Sequence, residues 1–206
     1  MTAPLHAPAL RRITLAMTGA SGALLARTAL RLLVADGRVG EVNLVPSAHA
    51  VRVADEELKL GAGTLKDFAT RLLGASPAKV QVHDNRDIGA TIASGSYPSD
   101  AMLVVPCSMG TLASIAHGMA DNLVERAADV CLKERRPLVL AVREAPLNRI
   151  HLQNMLTAHD AGAVIFPVVP AFYDGAQTAE QSATQFVCRL LAQVGLPQEQ
   201  AFQWPG

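Results

Sequence analysis

The chain has 206 residues, half of them hydrophobic and only 4% aromatic, with 18 basic and 18 acidic residues and no formal net charge. That length suits one well-packed domain, and the absence of a basic surplus argues against sequence-independent nucleic-acid binding. No apolar run reaches membrane-spanning length.

Residues 1–11 carry no continuous apolar run and read as an N-terminal extension, which leaves the domain at 12–206. From there apolar runs alternate with helical patterns. "ITLAM" (13–17) is a first strand, leading through a small-residue turn into "ALLARTALRLLVA" (23–35), apolar at helical spacing. "EVNLV" (41–45) is a second strand, followed by a polar helix through "HAVRVADEEL". "TLKDFATRLLG" is another helix, ended by Gly74 and the Ser-Pro after it. "AMLVVPC" (101–107) and "PLVLAV" (137–142) are continuous apolar runs, as expected of strands buried on both faces. "AVIFPVV" (163–169) is a third, where Pro167 argues for a strand end or edge. "NLVERAADVCLKERR", "LNRIHLQNMLTAHDAG" and residues 178–194 supply further helices. Strands alternating with helices predict the α/β class: a single Rossmann-like (flavodoxin-like) domain, a parallel sheet with helices on both faces.

In such folds ligands lie beyond the carboxyl ends of the strands. After the first strand comes Thr18-Gly19-Ala20-Ser21-Gly22, whose small residues suit an anion at a helix N-terminus, or simply a tight turn. It lacks both the Lys-Ser/Thr pair of a P-loop and the third glycine of a dinucleotide fingerprint. After the second strand, Ser47 stands where an NAD-binding domain usually has a carboxylate. That tilts the site towards a mononucleotide such as FMN, although a plain helix cap reads the same way. Ser108, Met109, Gly110 and Thr111 form a second hydroxyl-rich turn after "LVVP", and Arg143-Glu144 follow "PLVLAV".

Arg126 and Lys133 are seven apart and so share a helix face, placed to grip a phosphate or to be solvated beside Glu125 and Asp129. The six histidines have no metal-ligand spacing, so no metal is expected. Cys107, Cys131 and Cys188 lie far apart without a CxxC, which predicts reduced thiols of a cytoplasmic protein. Without a GxSxG elbow, Ser21 is not expected to be an acyl-transfer nucleophile.

Taken in order, "MTGASGA", "ASGS" (93–96), "PCSMGTLASIAHGMADNLVERAADVCLKERRPLVLAVREAPLNRIHLQNM" and "GAVIFPVVPAFY" resemble the UbiX-type flavin prenyltransferases, from about residue 12 to Trp204. The resemblance implies that reduced FMN is alkylated at N5 and C6 by dimethylallyl monophosphate, without a metal. The prenylated FMN would then serve a UbiD-type decarboxylase. It also implies a homododecamer with active sites at subunit interfaces.

Position by position, Gly19, Ala20 and Ser21 match the first flavin-binding turn, Ser47 the second, and Ser108, Met109, Gly110 and Thr111 the third, with Arg143 as a basic contact. Ala93, Ser94, Gly95, Arg126, Lys133, Glu144, Tyr173 and Arg189 match residues around the prenyl phosphate, and Trp204 an aromatic that closes over the prenyl chain. Glu57 matches a carboxylate that would act with Ser21 in a proton relay, and Glu144 a group for acid/base work beside Lys133. Two positions depart from the family pattern. Ala48 stands where a lysine is usual, and Asp174 adds a carboxylate near the expected phosphate site, which bears on which phosphate is accepted.

Two rivals of the same fold differ in chemistry. A cysteine decarboxylase would carry a catalytic histidine after the first helix and an Asn in a "PASANT"-like turn, where this chain has "PCSMGT". A flavin-storage protein would need none of the phosphate-handling set.

Overall fold

Two of the apolar runs, "ITLAM" and "AMLVVPC", become the middle of the sheet, with both of their faces covered. In the computed structural model, which describes residues 10–204, every residue from Ile13 to Met17 and from Ala101 to Cys107 is buried. These runs form β1 (Arg11–Met17) and β4 (Ala101–Cys107), which pair in parallel. β2 (Val39–Pro46) and β3 (Val80–Val82) extend the sheet on one side, β5 (Leu138–Val142) and β6 (Val164–Ile165) on the other. The order is β3-β2-β1-β4-β5-β6, parallel at every step.

The two-residue period of a strand sends alternate side chains into two cores. Leu15, Leu103 and Val105 pack towards α1 (Ala23–Ala35), α2 (Ala48–Leu58), α3 (Phe68–Leu73) and α7 (Ala179–Ala192). Ala16, Met102 and Val104 pack towards α4 (Met109–Ala116), α5 (Leu123–Lys133) and α6 (Arg149–Asp160). Among the described residues no helix is long and apolar enough to cross a membrane. All three cysteines are free and buried, and burial pushes the Cys107 and Cys131 thiols up to about 12.

Several boundaries move from the sequence expectation. The sheet takes in Arg11, whose amide donates to Arg38 O at 2.8 Å, so the first strand begins two residues before the expected Ile13; residues 1–9 lie outside the described part. α3 starts only at Phe68, because Thr64 Oγ1 donates to Asp67 Oδ1 and folds the preceding residues into a turn. Gly74 ends it in the left-handed conformation, as expected, with its N–H on Thr70 O. β6 is two residues long, yet Phe166 and Val168 still donate to Leu140 and Val142 on either side of Pro167, which has no N–H to give.

Candidate functional site

The strand order turns back between β1 and β4, which opens a crevice at their carboxyl ends. Thr18, nearly fully buried, ties the two loops together. Its hydroxyl donates to Pro106 O at 2.8 Å and accepts from Ser108 N at 2.8 Å. The Ser47 amide bonds Met17 O at 2.9 Å, which fixes a third strand end beside them.

Three helices begin at this crevice, each capped by a short polar side chain. Ser47 Oγ accepts from Ala50 N at the start of α2, and Ser108 Oγ from Thr111 N at the start of α4. Asn122 accepts from Glu125 N at the start of α5, while Asn85 accepts from Val124 N. Together with Gly19, His49 and Thr111 these groups line a polar cavity of about 360 Å³. A Cβ on Gly19 would lie 2.7 Å from that of His49, so the first turn needs glycine there for the backbone to reach the cavity.

The first helix behaves differently from expectation. Its leading N–H groups do not wait for an external anion: Ala23 N donates to Glu57 Oε2 at 2.8 Å and Gly22 N to the same carboxylate at 3.1 Å. A carboxylate at a helix N-terminus is well placed both for hydrogen bonding and for the helix dipole. Glu57 thus engages the backbone just after Ser21, and the exposed Ser21 side chain borders this contact. The helix starts that line the crevice are those of α2, α4 and α5.

Beside α5 runs the segment Ala93-Ser94-Gly95, which begins at the last residue of a short 3-10 turn, Thr91–Ala93. Arg126 Nε donates to Ala93 O at 3.1 Å and its Nη1 to Asp129 at 2.6 Å. Lys133 pairs with Glu134, and a Cβ on Gly95 would collide with both of their charged ends. The shared face expected for Arg126 and Lys133 is therefore the one that lies along 93–95. Arg143 and Glu144 are exposed where the chain leaves β5; the Glu144 carboxylate accepts from Ala145 N at 3.1 Å.

Tyr173, Arg189 and Trp204 form a separate group. They line a cavity of about 200 Å³ with Asp174, at the end of the sheet where β6 passes to α7. Tyr173 meets Trp204 edge-on at 5.3 Å between ring centroids, and both are largely solvent-facing at 55% and 73% exposure. Asp174 spends one carboxylate oxygen on Ala176 N at 3.0 Å. Within one chain, then, the residues expected around a prenyl phosphate fall into two groups, one on α5 and one on this edge.

His49, Asn85 and Asn122 were not singled out by the sequence, and Thr18 was named only as part of the first turn, without its role as a clamp. Asn122 had a signal, a capping residue three positions before Glu125 at the start of an apolar-periodic stretch. For Asn85, which caps a helix 39 residues later, there was none.

The chain matches the Flavoprotein family over residues 3–193. It is 44% identical over 195 residues to the flavin prenyltransferase UbiX of Pseudomonas aeruginosa, covering 94% of this chain and 93% of that one. Among solved structures it resembles AnUbiX (PadA1) in complex with FMN and dimethylallyl pyrophosphate, with a TM-score of 0.83 and 43% identity over 96% of this chain and 99% of the other. A dodecameric FMN-dependent UbiX-like decarboxylase from Escherichia coli O157:H7 gives a TM-score of 0.82 and 40% identity, covering 95% and 100%.

Proposed function

The chain belongs to the Flavoprotein family and, within it, to the UbiX-type flavin prenyltransferases, and from that premise we propose that it joins the dimethylallyl group of dimethylallyl monophosphate to reduced FMN. The observation that carries this reading is the pairing of a polar, helix-start crevice with a cationic helix face beside it. The crevice is made by Thr18, Gly19, Ser47 and Ser108, and the face by Arg126 and Lys133 along Ala93–Gly95.

The crevice suits FMN. Gly19, Ala20 and Ser21, Ser47, and Ser108 through Thr111 would hold it, with Arg143 as the basic contact at the end of β5. Reduced FMN supplies the nucleophilic N5 and the ring carbon C6 to which the prenyl group is joined as phosphate is released. The chain's own part is mostly electrostatic. Lys133 and Arg126, joined by Arg143 and Arg189, compensate the charge that builds on the departing phosphate, which makes a metal unnecessary. Glu144, exposed next to Arg143, hands a proton to or takes one from the reacting groups. Trp204 and Tyr173 offer π-faces to an electron-poor allylic group.

Because Tyr173, Arg189 and Trp204 stand apart from α5 and face solvent, they complete the site of a neighbouring copy in a homo-oligomer, a dodecamer by analogy with the relative that has that assembly. The product, prenylated FMN, passes to a UbiD-type decarboxylase in the cytoplasm.

The test is anaerobic: reduce the FMN-loaded protein, add dimethylallyl monophosphate, and measure the mass of the extracted flavin. A gain of one prenyl unit supports the reading. Unchanged FMN with the phosphate still esterified defeats it.

A further inference from the structure

The segment that carries Ala93, Ser94 and Gly95 is short, runs on from a single 3-10 turn and alternates between partly buried and exposed residues, and a device just beyond the C-terminal end of α5 grips it. α5 ends at Lys133. Arg135 then takes a left-handed conformation, with φ 56°, and Arg136 turns back to bond Cys131 O through its amide. Arg136 thereby delivers a planar fork to two backbone carbonyls: Nη1 donates to Tyr97 O at 2.8 Å and Nη2 to Gly95 O at 2.7 Å. With Arg126 on Ala93 O, alternate carbonyls at 93, 95 and 97 are all held by guanidinium groups from this one helix and its exit turn.

The other end of the segment is anchored in the sheet. The Tyr97 hydroxyl donates to Glu41 and accepts from Asn43 Nδ2 at 3.0 Å, both on β2. Asn43 also donates to Glu41 at 3.0 Å, and its carbonyl oxygen lies 2.7 Å from His83 Nε2. Asn43 and His83 are buried, and Arg12 on β1 lies 3.4 Å from the remaining Glu41 oxygen. A chain of polar contacts thus runs from His83, just after β3, and from β2 through Tyr97 to the segment itself.

We propose that Arg136, with Tyr97 as its counter-anchor on Glu41 and Asn43, is the positioning residue that sets the 93–97 segment against Lys133 and so fixes the seat of the prenyl phosphate. The inference rests on the reading of 93–95 as a substrate segment. Arg136 points its donors at carbonyl oxygens and acts through the backbone. Two fixed N–H groups on one plane hold two carbonyls at a set spacing, which a flexible lysine ammonium cannot reproduce. The charged ends of Lys133 and Glu134 lie directly against Gly95, so a shift in the segment changes the surroundings of the phosphate-binding lysine as well.

The experiment compares the FMN-loaded wild type with Arg136→Lys and Tyr97→Phe. It measures steady-state prenylation, FMN affinity, thermal stability, and amide hydrogen exchange across 93–97. Arg136→Lys is expected to raise KM for dimethylallyl monophosphate about tenfold, with kcat within threefold and FMN affinity unchanged. Tyr97→Phe, which loses only the hydroxyl, is expected to give about a threefold rise in the same direction. Both should speed exchange in the segment. An unchanged KM in a folded Arg136→Lys variant, or a parallel loss of FMN affinity, overturns the proposal. Hydrogen exchange is independent of turnover: if the wild type does not alkylate flavin, the functional reading fails, while unaltered exchange in both variants removes the tether itself.

Discussion

Thr18 and Ser108 lie 90 residues apart in the chain, and one hydroxyl joins them: Thr18 Oγ1 accepts from Ser108 N at 2.8 Å while donating to Pro106 O at the same distance. The bond ties together the carboxyl ends of β1 and β4, where the first and third of the turns proposed to hold flavin meet. Its saturation on both sides makes it a sensitive place to cut. Thr18→Val keeps the shape and leaves the Ser108 amide and the Pro106 carbonyl without that partner. The expected cost is about 1–3 kcal/mol of stability. A drop in FMN affinity should accompany it, because the Ser108 turn loses its fixed position. Urea unfolding and a fluorescence titration with FMN check the two halves. A variant as stable as the wild type, with equal FMN affinity, would show that the clamp is not needed.

Glu57 presents the opposite case, a carboxylate from α2 that closes the start of α1. Glu57→Ala should destabilise the protein by about 1–2 kcal/mol, in the range of a lost helix cap. Glu57→Gln retains an acceptor and should lose less than half of that. If Glu57 also relays a proton with Ser21, the Gln variant will show a lower kcat than its small stability loss accounts for. Comparing thermal melts with turnover rates of the two variants separates the helix-closing role from the relay.

β4 was legible because its complete burial leaves an unbroken apolar run, and β1 because four apolar residues around the buried Thr14 stand directly before a small-residue turn. The cap at Ser47 was legible as one of two readings, and Ser108 as a hydroxyl at a helix start, since a short hydroxyl before a helix has a local purpose. What residue patterns alone did not reveal were the bonds made across the fold. Glu57 reaches Gly22 over 35 residues, and Arg136 reaches Gly95 over 41; neither spacing has a periodic signature. β3 escaped for another reason. Three half-exposed residues on an edge carry too little burial to impose a pattern. The resemblance located Tyr173, Arg189 and Trp204, but only the sheet order places them at a different end of the chain's own surface from Lys133.

Glu144 and Lys133 are exposed, so their replacement tests chemistry with little interference from stability. Glu144→Gln is expected to lower kcat by about 10²–10⁴-fold if it moves a proton in the rate-limiting step. Lys133→Ala removes a cation from the phosphate and should lower kcat/KM by about 10²–10³-fold. Melting temperatures within about 2 °C of the wild type are expected for both, since exposed substitutions away from packed features shift stability by about 0.5 kcal/mol or less. A Glu144→Gln variant with normal kcat would move the proton-transfer role to another group.

His83 gives the protein a stability profile with a definite sign. Asn43 spends its amide hydrogens on Glu41 and Tyr97, so its carbonyl oxygen is the acceptor and His83 Nε2 carries the proton. Burial holds the ring below the usual histidine pKa, and the charges of Asp87 and Glu41 oppose this without overcoming it. The unfolded chain takes up a proton on this ring as pH falls past about 6.5, while the folded ring resists. The unfolded state then binds more protons, so stability must fall as pH drops below that value, by at most about 1.4 kcal/mol per pH unit. Two carboxylates change stability in the same direction but in a lower window. Glu41 is held down by the Tyr97 hydroxyl, and Asp84 is lowered to about 2 by Arg86, so both retain their contributions until pH falls below about 4. Urea unfolding of the wild type between pH 8 and 5 should therefore show a decline that begins near 6.5. His83→Gln, which retains a donor for Asn43, should start from lower stability at pH 8 and lose that slope. A wild-type profile flat down to pH 5 would mean that the folded ring takes up its proton as readily as the unfolded one.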